Sequence, residues 1–247
     1  MKYKALMIDI DGTLVPSSRS GKPSKKVIDA ITKACQLIHV GVATSRPYFL
    51  VKDIVENLKL TGPSIINGGA QIYDTTTHQV LWERQIDLKD LEKIIEIFKN
   101  HKLGFIIQEG GDDIEYYEGY KPKAPMQVYA PALDEALAEE IVDQIAQIPT
   151  IAVHKGISWI KGKYDVVASD SYATKQHGIF KVAKLLNIKT HEIIGMGDGY
   201  NDFPLLMACG LKVAMGNAVE DLKEIADYVA PPVDQDGVAD VIERFIL

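Results

Sequence analysis

Two aspartates stand two positions apart in Asp9-Ile10-Asp11-Gly12-Thr13, and that spacing is the first place in the chain where chemistry can be written. On extended backbone, residues i and i+2 point to one side. Both carboxylates therefore face one way before Gly12 lets the chain turn. Buried like charges this close repel unless a cation or a proton offsets them, so the pair points to a metal-assisted site. Matching groups recur further on: Thr44, Lys175, Asp198 and Asp202. Three carboxylates with backbone oxygens make the hard, oxygen-rich site that magnesium prefers. Thr44 with its neighbouring amides at a helix start, and Lys175, can hold an anion. A phosphate dianion between a lysine and magnesium becomes electrophilic. An aspartate there can attack phosphorus to form an acyl phosphate. A second carboxyl group can protonate the leaving alcohol and then activate water.

The elements that must position these groups follow from the hydrophobic pattern. Residues 4–10 read as a buried strand, 25–38 as a helix capped by Ser24, and 39–43 as a second strand ending in Thr44-Ser45-Arg46-Pro47. A helix follows Pro47, then a strand at 64–66, the turn Asn67-Gly68-Gly69 and a hairpin over 70–82. This β-α-β-α-β opening predicts a parallel sheet with right-handed crossovers. Ligands of such sheets sit beyond the carboxyl ends of the strands, where Asp9, Asp11, Thr44 and Asn67 fall. Near Glu83 the pattern changes to α-β-β followed by α-β-β(-β), the signature of an antiparallel sheet with helices on one face. Within it, strands are expected at 103–108, 114–118, 150–154, 158–160 and 164–168, and residues 121–125 as a loop. From Thr174 the first pattern resumes: a helix, a strand at 192–195 running into Gly197-Asp198-Gly199-Tyr200-Asn201-Asp202, and further αβ units to the end. The expected organisation is one α/β core, residues 1–83 and 170–247, interrupted by a module at 84–169 that hinges over the site on two short crossings.

Composition narrows the function classes. A chain of 247 residues, 47% hydrophobic and 25% charged, can bury a sizeable core. Its net charge of -7 argues against a nucleic-acid or anionic-membrane surface. Cys35 and Cys209 lie in apolar helical patterns, with neither zinc nor disulfide spacing, which fits a reducing compartment. No apolar run reaches the length of a membrane span. The first twelve residues carry charges through what would be the apolar stretch of a signal peptide, so a cytoplasmic location is expected. Gly195-Met196-Gly197-Asp198-Gly199-Tyr200 fails as a dinucleotide fingerprint, because its sixth position is Tyr and an Asp occupies the phosphate turn.

The motifs together resemble the haloacid dehalogenase superfamily of aspartate-nucleophile phosphatases, in its Cof-type branch. The residues that carry the resemblance are Asp9-Ile10-Asp11-Gly12-Thr13-Leu14, Ala43-Thr44-Ser45-Arg46-Pro47, Ile66-Asn67-Gly68-Gly69, Thr174-Lys175-Gln176-His177-Gly178 and Gly197-Asp198-Gly199-Tyr200-Asn201-Asp202. Val213-Ala214-Met215-Gly216-Asn217-Ala218 and Asp236-Gly237-Val238 look like this branch as well. The resemblance implies a Rossmann-like parallel-sheet core with an inserted α+β cap at 84–169. It makes Asp9 the nucleophile and Asp11 the general acid/base. It places magnesium on Asp9, the Asp11 carbonyl and Asp198, with Asp202 supporting the metal's water shell or orienting Lys175. Thr44, Lys175 and Asn201 would hold the phosphate, with the Ser45 amide near; Asn67 and Arg46 would line the entrance. Two departures stand out: Ser45 replaces a frequent Gly, and Lys-Gln-His-Gly replaces the commoner Lys-Gly.

The activity implied is magnesium-dependent hydrolysis of a small phosphomonoester, a sugar phosphate or related metabolite, by a monomer or small homo-oligomer. Glu109, Asp112, Lys121 and Trp159 are the cap positions expected near substrate, and His177 is a candidate to face the site. Two alternatives use the same groups. A phosphotransferase or mutase would return the phosphoryl group to a sugar. A phospho-acceptor signalling module also joins an acidic pair, a Thr and a Lys on a parallel α/β sheet, but at roughly half this length and without an inserted module.

Overall fold

The computed structural model describes residues 2–18 and 20–247. Its first part runs β1 (Ala5–Ile8), α1 (Lys25–Ala34), β2 (His39–Val42), α2 (Tyr48–Asn57), β3 (Pro63–Ile66), β4 (Gln71–Asp74) and β5 (Gln79–Glu83). The inserted module holds α3 (Leu88–Asn100), β6 (Ile106–Glu109), β7 (Asp112–Glu115), β8 (Pro125–Leu133), α4 (Glu135–Ile145), β9 (Ile151–Ile157) and β10 (Tyr164–Asp170). The last part is α5 (Lys175–Leu185), β11 (Ile193–Gly197), α6 (Phe203–Ala208), β12 (Leu211–Met215), α7 (Glu220–Glu224), β13 (Tyr228–Ala230) and α8 (Gly237–Phe245).

β1 is buried along its whole length, as a strand covered on both faces by helices must be. It lies inside a five-stranded parallel sheet ordered β13-β12-β11-β1-β2. Ile8 sits level with Val42 on one side and Met196 on the other. The residues that follow these three strands, Asp9, Ala43-Thr44 and Gly197-Asp198, thus leave the sheet at one edge. Local signals set the flanking helices. Ser24 Oγ accepts from Val27 N at 3.2 Å to start α1, which buries Val27, Ala30, Ile31 and Ala34. Thr174 caps α5 through His177 N, which fixes where Lys175 begins.

The parallel reading of the opening needs one correction. β3 does not extend the five-stranded sheet as a full strand; it heads a separate antiparallel sheet, β3-β4-β5. A single parallel bridge, Ala43 to Ile65, joins the two. Pro63 has no N–H to give a ladder, and the Val42 N–H donates to Ser64 Oγ at 3.2 Å instead of to a carbonyl.

The inserted module is a five-stranded antiparallel sheet, β7-β6-β8-β10-β9. Ile94, Phe98, Ala138 and Ile141 of α3 and α4 pack with Ile107, Val128 and Ala168 in a hydrophobic core of its own, formed by residues 86–168. Side chains alternate across a strand, so Gln108, Gln127 and their cross-strand neighbours point to the opposite face. β8 was unforeseen, because Pro125 and Pro131 argue against a central strand. Pro125 is tolerated as its first residue. Pro131 sits in a bulge, marked by the register shift opposite Tyr164 and Val166 and by Ala132 at φ 60°. The strand expected at 158–160 is instead a turn after β9.

Gly69 has a φ of 107°, and a Cβ there would strike the Thr174 carbonyl. This glycine lets the turn after β3 seat the start of α5. Gly69→Ala is expected to cost about 2–4 kcal/mol from strain plus collision, read as a lower urea midpoint with an unchanged slope.

Candidate active site

Lys175, the first residue of α5, is 2% exposed, and its ammonium donates to Asp9 Oδ1 and to Asp202 Oδ1, each at 2.6 Å. Asp202 is fully buried, and its second oxygen accepts from Asp198 N at 2.9 Å and Gly199 N at 3.0 Å. Asp198 Oδ1 accepts from Thr13 Oγ1 at 2.9 Å. Strand ends far apart in sequence are thereby tied at one point. One carboxylate oxygen from each of Asp9, Asp198 and Asp202 lies within 4.8 Å of the others.

Burial, with the charge of Asp202 next, pushes Asp9 up to about 7, although Lys175 pulls the other way. Burial, with Asp202 and Asp9, pushes Asp198 up to about 8. Burial opposes the charge on Lys175, but Asp202 and Asp9 outweigh it and hold its pKa above the usual lysine range. The cluster carries more negative charge than one ammonium offsets. An all-oxygen, anionic donor set of this kind fits a hard divalent cation such as magnesium.

Asp11 has different surroundings. Its carboxylate accepts from Arg46 Nε at 2.7 Å and Arg46 Nη2 at 2.5 Å, and from Trp159 Nε1 at 3.3 Å. The Arg46 guanidinium lies 5.1 Å from the Trp159 ring and donates from Nη2 to Ser18 O at 2.8 Å. The turn after β3 braces the Thr44 loop: Gly68 N donates to Thr44 O at 2.9 Å and Asn67 N to Arg46 O at 3.0 Å. Asn201 Nδ2 donates to Ser45 Oγ at 3.4 Å.

A cavity of about 510 Å³ lies between this edge and the inserted sheet. Asp9, Asp11, Ser45, Arg46, Asp198 and Asn201 form its floor, while Thr44, Asn67, Lys175 and Asp202 lie outside its lining. Asn67 turns inward, donating to Gln71 Oε1 at 2.8 Å, so it does not line the entrance. His177 faces away as well. Its ring lies tilted against Tyr172, 5.0 Å between centroids, in a separate pocket at the crossings between the two parts.

Of the four positions expected near substrate in the inserted module, only Trp159 lines the cavity; Glu109, Asp112 and Lys121 do not. The Glu109 carboxylate is taken by Tyr120 Oη, Lys123 N and Ala124 N, and Asp112 and Lys121 are exposed. The expected strands ended at 108 and began at 114, whereas β6 and β7 run through Glu109 and Asp112. The turn Gly110-Gly111, both residues with positive φ, pairs Gln108 with Asp113. A one-residue shift in phase exchanges the faces of a strand. Gln108, Asp113, Gln127, Tyr129 and His154 supply the cavity's polar roof. The usable signal was polar residues alternating with apolar ones in β8, over Met126-Gln127-Val128-Tyr129-Ala130. Burial, then the Lys175 charge, pushes His154 down to about 4 against the pull of Asp202, so it is neutral at pH 7.

A family model described as haloacid dehalogenase-like hydrolase matches residues 6–152 and 121–242. The Bacillus subtilis (strain 168) protein named 5-amino-6-(5-phospho-D-ribitylamino)uracil phosphatase YcsE is 24% identical over 99% of this chain and 96% of its own. Phosphoglycolate phosphatase 1 of Saccharolobus solfataricus is 23% identical over 98% of this chain and 96% of its own. Among solved structures, a haloacid dehalogenase-like hydrolase from B. subtilis has a TM-score of 0.85 at 24% identity, covering 98% of this chain and 100% of that one. The subclass IIB sugar phosphatase BT4131 has a TM-score of 0.82 at 24% identity, covering 98% of each. These likenesses carry the fold, including an inserted α+β cap. The family match spans nearly the whole sequence, and the chain belongs to the haloacid dehalogenase-like hydrolases, in their Cof-type branch.

Proposed function

We propose that this protein is a magnesium-dependent phosphatase that hydrolyses a small phosphomonoester through an aspartyl phosphate on Asp9. One observation carries the reading: Lys175 holds Asp9 and Asp202 at 2.6 Å each, with Asp9 and Asp198 on the floor of a cavity roofed by the cap. The relatives named above as phosphatases support it. The inserted sheet over the cavity also separates it from a signalling module, which is expected without one.

In this reading Asp9, Asp198 and the Asp11 carbonyl would hold magnesium, with Asp202 bracing Lys175 and the loop that carries Asp198. The ion, when bound, supplies positive charge against the carboxylates and the phosphoryl oxygens. Lys175 fixes the Asp9 carboxylate, and Ser45 and Asn201 bind phosphoryl oxygens, with Thr44 shaping their loop. An Asp9 oxygen attacks phosphorus while the bond from phosphorus to the leaving oxygen breaks. Asp11 gives that oxygen its proton. Asp11 then takes a proton from water, whose oxygen attacks phosphorus and releases Asp9 and inorganic phosphate. Trp159 and Arg46 orient Asp11 for both transfers.

Asp9→Asn removes the attacking oxygen while keeping the shape. It is expected to lower kcat for p-nitrophenyl phosphate by at least about 10³-fold, with a native circular dichroism spectrum. Activity near that of the wild type would reject the assignment.

A pH dependence follows from the raised carboxyl groups. Asp9, at about 7, and Asp198, at about 8, lie above the ordinary 3.8. Across that window the metal-free folded state keeps protons that the unfolded chain has lost, so its stability falls as pH rises. Magnesium needs the ionised carboxylates, so its stabilisation grows over the same range. The metal-free Tm should fall between about pH 5 and pH 8, and the rise in Tm on adding magnesium should be larger at the upper value. A magnesium effect independent of pH would count against this cluster as the binding site.

A further inference from the structure

We infer that Asn217, in the loop after β12, is a positioning residue for the cation site: it holds the turn after β1 against the loop after β11, so that the Asp11 carbonyl and the Asp198 carboxylate are set for a divalent ion. The inference rests on the proposed function and extends it to a residue outside the catalytic cavity.

The loop after β12 reaches across the carboxyl edge of the parallel sheet. β12 is two strands away from β1, with β11 between them. Asn217 Nδ2 nonetheless donates to Gly12 O at 2.8 Å. Two residues further on, Val219 N donates to Asp198 O at 3.0 Å. One short loop thus grips two of the segments that carry the acidic cluster, one through a side chain and one through the backbone. The Asn217 amide is fixed at its other end as well. Its Oδ1 accepts from Val233 N, in the short turn after β13, at 2.8 Å. An amide that donates at one end and accepts at the other cannot flip without losing both bonds.

The gripped carbonyl matters because of what lies beside it. Gly12 has a φ of 77°, and a Cβ there would strike Asp198 Oδ2, so its α-carbon rests against that carboxylate. Thr13, next in the chain, donates from Oγ1 to Asp198 Oδ1 at 2.9 Å. Gly12 N donates to Val15 O at 2.8 Å and Leu14 N to Ile10 O at 3.0 Å, so the turn is tied into one piece. A displacement of Gly12 therefore carries the Asp11 carbonyl and Thr13 with it, and presses on Asp198. Those are groups that the proposed function assigns to magnesium. Removing an outer partner of this kind changes metal affinity by about 10–100-fold. Asn217 is itself exposed, so it can be replaced without opening a cavity in the core. The Gly216-Asn217-Ala218 stretch, to which the proposed reaction gives no part, thereby acquires one.

The test is calorimetric binding of magnesium to metal-free protein without substrate, in the wild type, Asn217→Leu and Asn217→Asp. Leucine resembles asparagine in shape and makes neither bond. Aspartate keeps an acceptor for Val233 N but has no donor for Gly12 O. Its added negative charge would by itself attract a cation, so weaker binding isolates the lost donor. The magnesium dissociation constant should rise by about tenfold in Asn217→Leu and by more than about threefold in Asn217→Asp. Tyr228→Phe is the control for general loss of stability. It deletes the Tyr228 to Asp240 hydrogen bond at the first residue of β13, and should lower Tm while leaving the dissociation constant within about twofold. With p-nitrophenyl phosphate, the magnesium concentration giving half-maximal rate should rise in step in the Asn217 variants, whereas KM at saturating magnesium should stay within about twofold. A dissociation constant within about threefold of the wild type in either Asn217 variant, or one weakened about tenfold in Tyr228→Phe too, would overturn the inference. A wild type that binds no magnesium overturns the phosphatase reading and the inference together. One that binds magnesium but releases no phosphate overturns the reading alone, and the dissociation constants still decide the role of Asn217.

Discussion

A single buried ammonium group is the constraint on which the site depends. Removing a lysine charge from water costs several kcal/mol unless it is paired with good geometry. Lys175 meets that condition with two charged hydrogen bonds of 2.6 Å, to Asp9 and Asp202. The partners come from the end of β1 and the loop after β11, which lie side by side in the parallel sheet. Lys175 itself arrives on α5, after the chain has left the core, built the cap and returned. The glycine turn after β3 and the Thr174 cap set where that helix starts. Each carboxylate of the cluster therefore depends on a charge delivered from a distant part of the sequence, and two aspartates remain raised in pKa because burial, together with the neighbouring carboxylates, outweighs one ammonium.

A second contact joins the two parts of the molecule. Arg46 grips the Asp11 carboxylate with two N–H groups from within the core, while Trp159 of the cap adds an indole donor to the same carboxylate and lays its ring near the guanidinium. Arg46 is 5% exposed and also donates to backbone carbonyls of Ser18 and Leu50, so its position does not depend on the cap. The core alone thus sets where Asp11 sits, and the cap changes what surrounds it. In this structure the cap adds one indole donor to a carboxylate that the core already holds through Arg46. Two guanidinium N–H groups favour the ionised carboxylate, the form that takes a proton from water in the second half of the proposed reaction.

Much of the core was legible because its signals are local. Asp9, Thr44, Asp198 and Asn201 follow apolar strands, and Lys175 follows a capping threonine; these are positions that spacing and turn chemistry define. What was not legible depended on tertiary geometry. β3 was expected in the main sheet; Pro63, which lacks an N–H, and the side-chain hydrogen bond from Val42 N to Ser64 Oγ mark where its ladder is lost. β8 was hidden by two prolines, one at its first residue and one in a bulge. Missing β8 removed the strand that carries Gln127 and Tyr129. Glu109 and Asp112 were expected in a turn between two strands; they lie within β6 and β7, adjacent in sequence to the cavity-lining Gln108 and Asp113 and on the opposite face. Asn67 was expected at the entrance, yet its side chain turns to Gln71 within the loop it stabilises.

The cavity has two chemically opposed ends, and that opposition orients a ligand before any specific contact forms. The floor offers an ammonium charge behind Asp9 and polar donors at Ser45 and Asn201; the roof offers the Asp113 carboxylate and the Gln108 carbonyl. A phosphate entering with its hydroxylated end toward the floor would meet Asp113 at close range, in a partly desolvated space where like charges repel strongly. The reverse orientation puts the phosphate beside the Ser45 and Asn201 donors, where the proposed magnesium would offset the carboxylates, and its hydroxyls against acceptors. The same antiparallel sheet that roofs the cavity supports this polarity from behind. Its helix-packed face is apolar, so the polar residues on its other face are held by strand register and do not rely on loops. A charged group on a rigid sheet cannot swing away from a wrong ligand, and it therefore rejects by repulsion what a loop residue would accommodate.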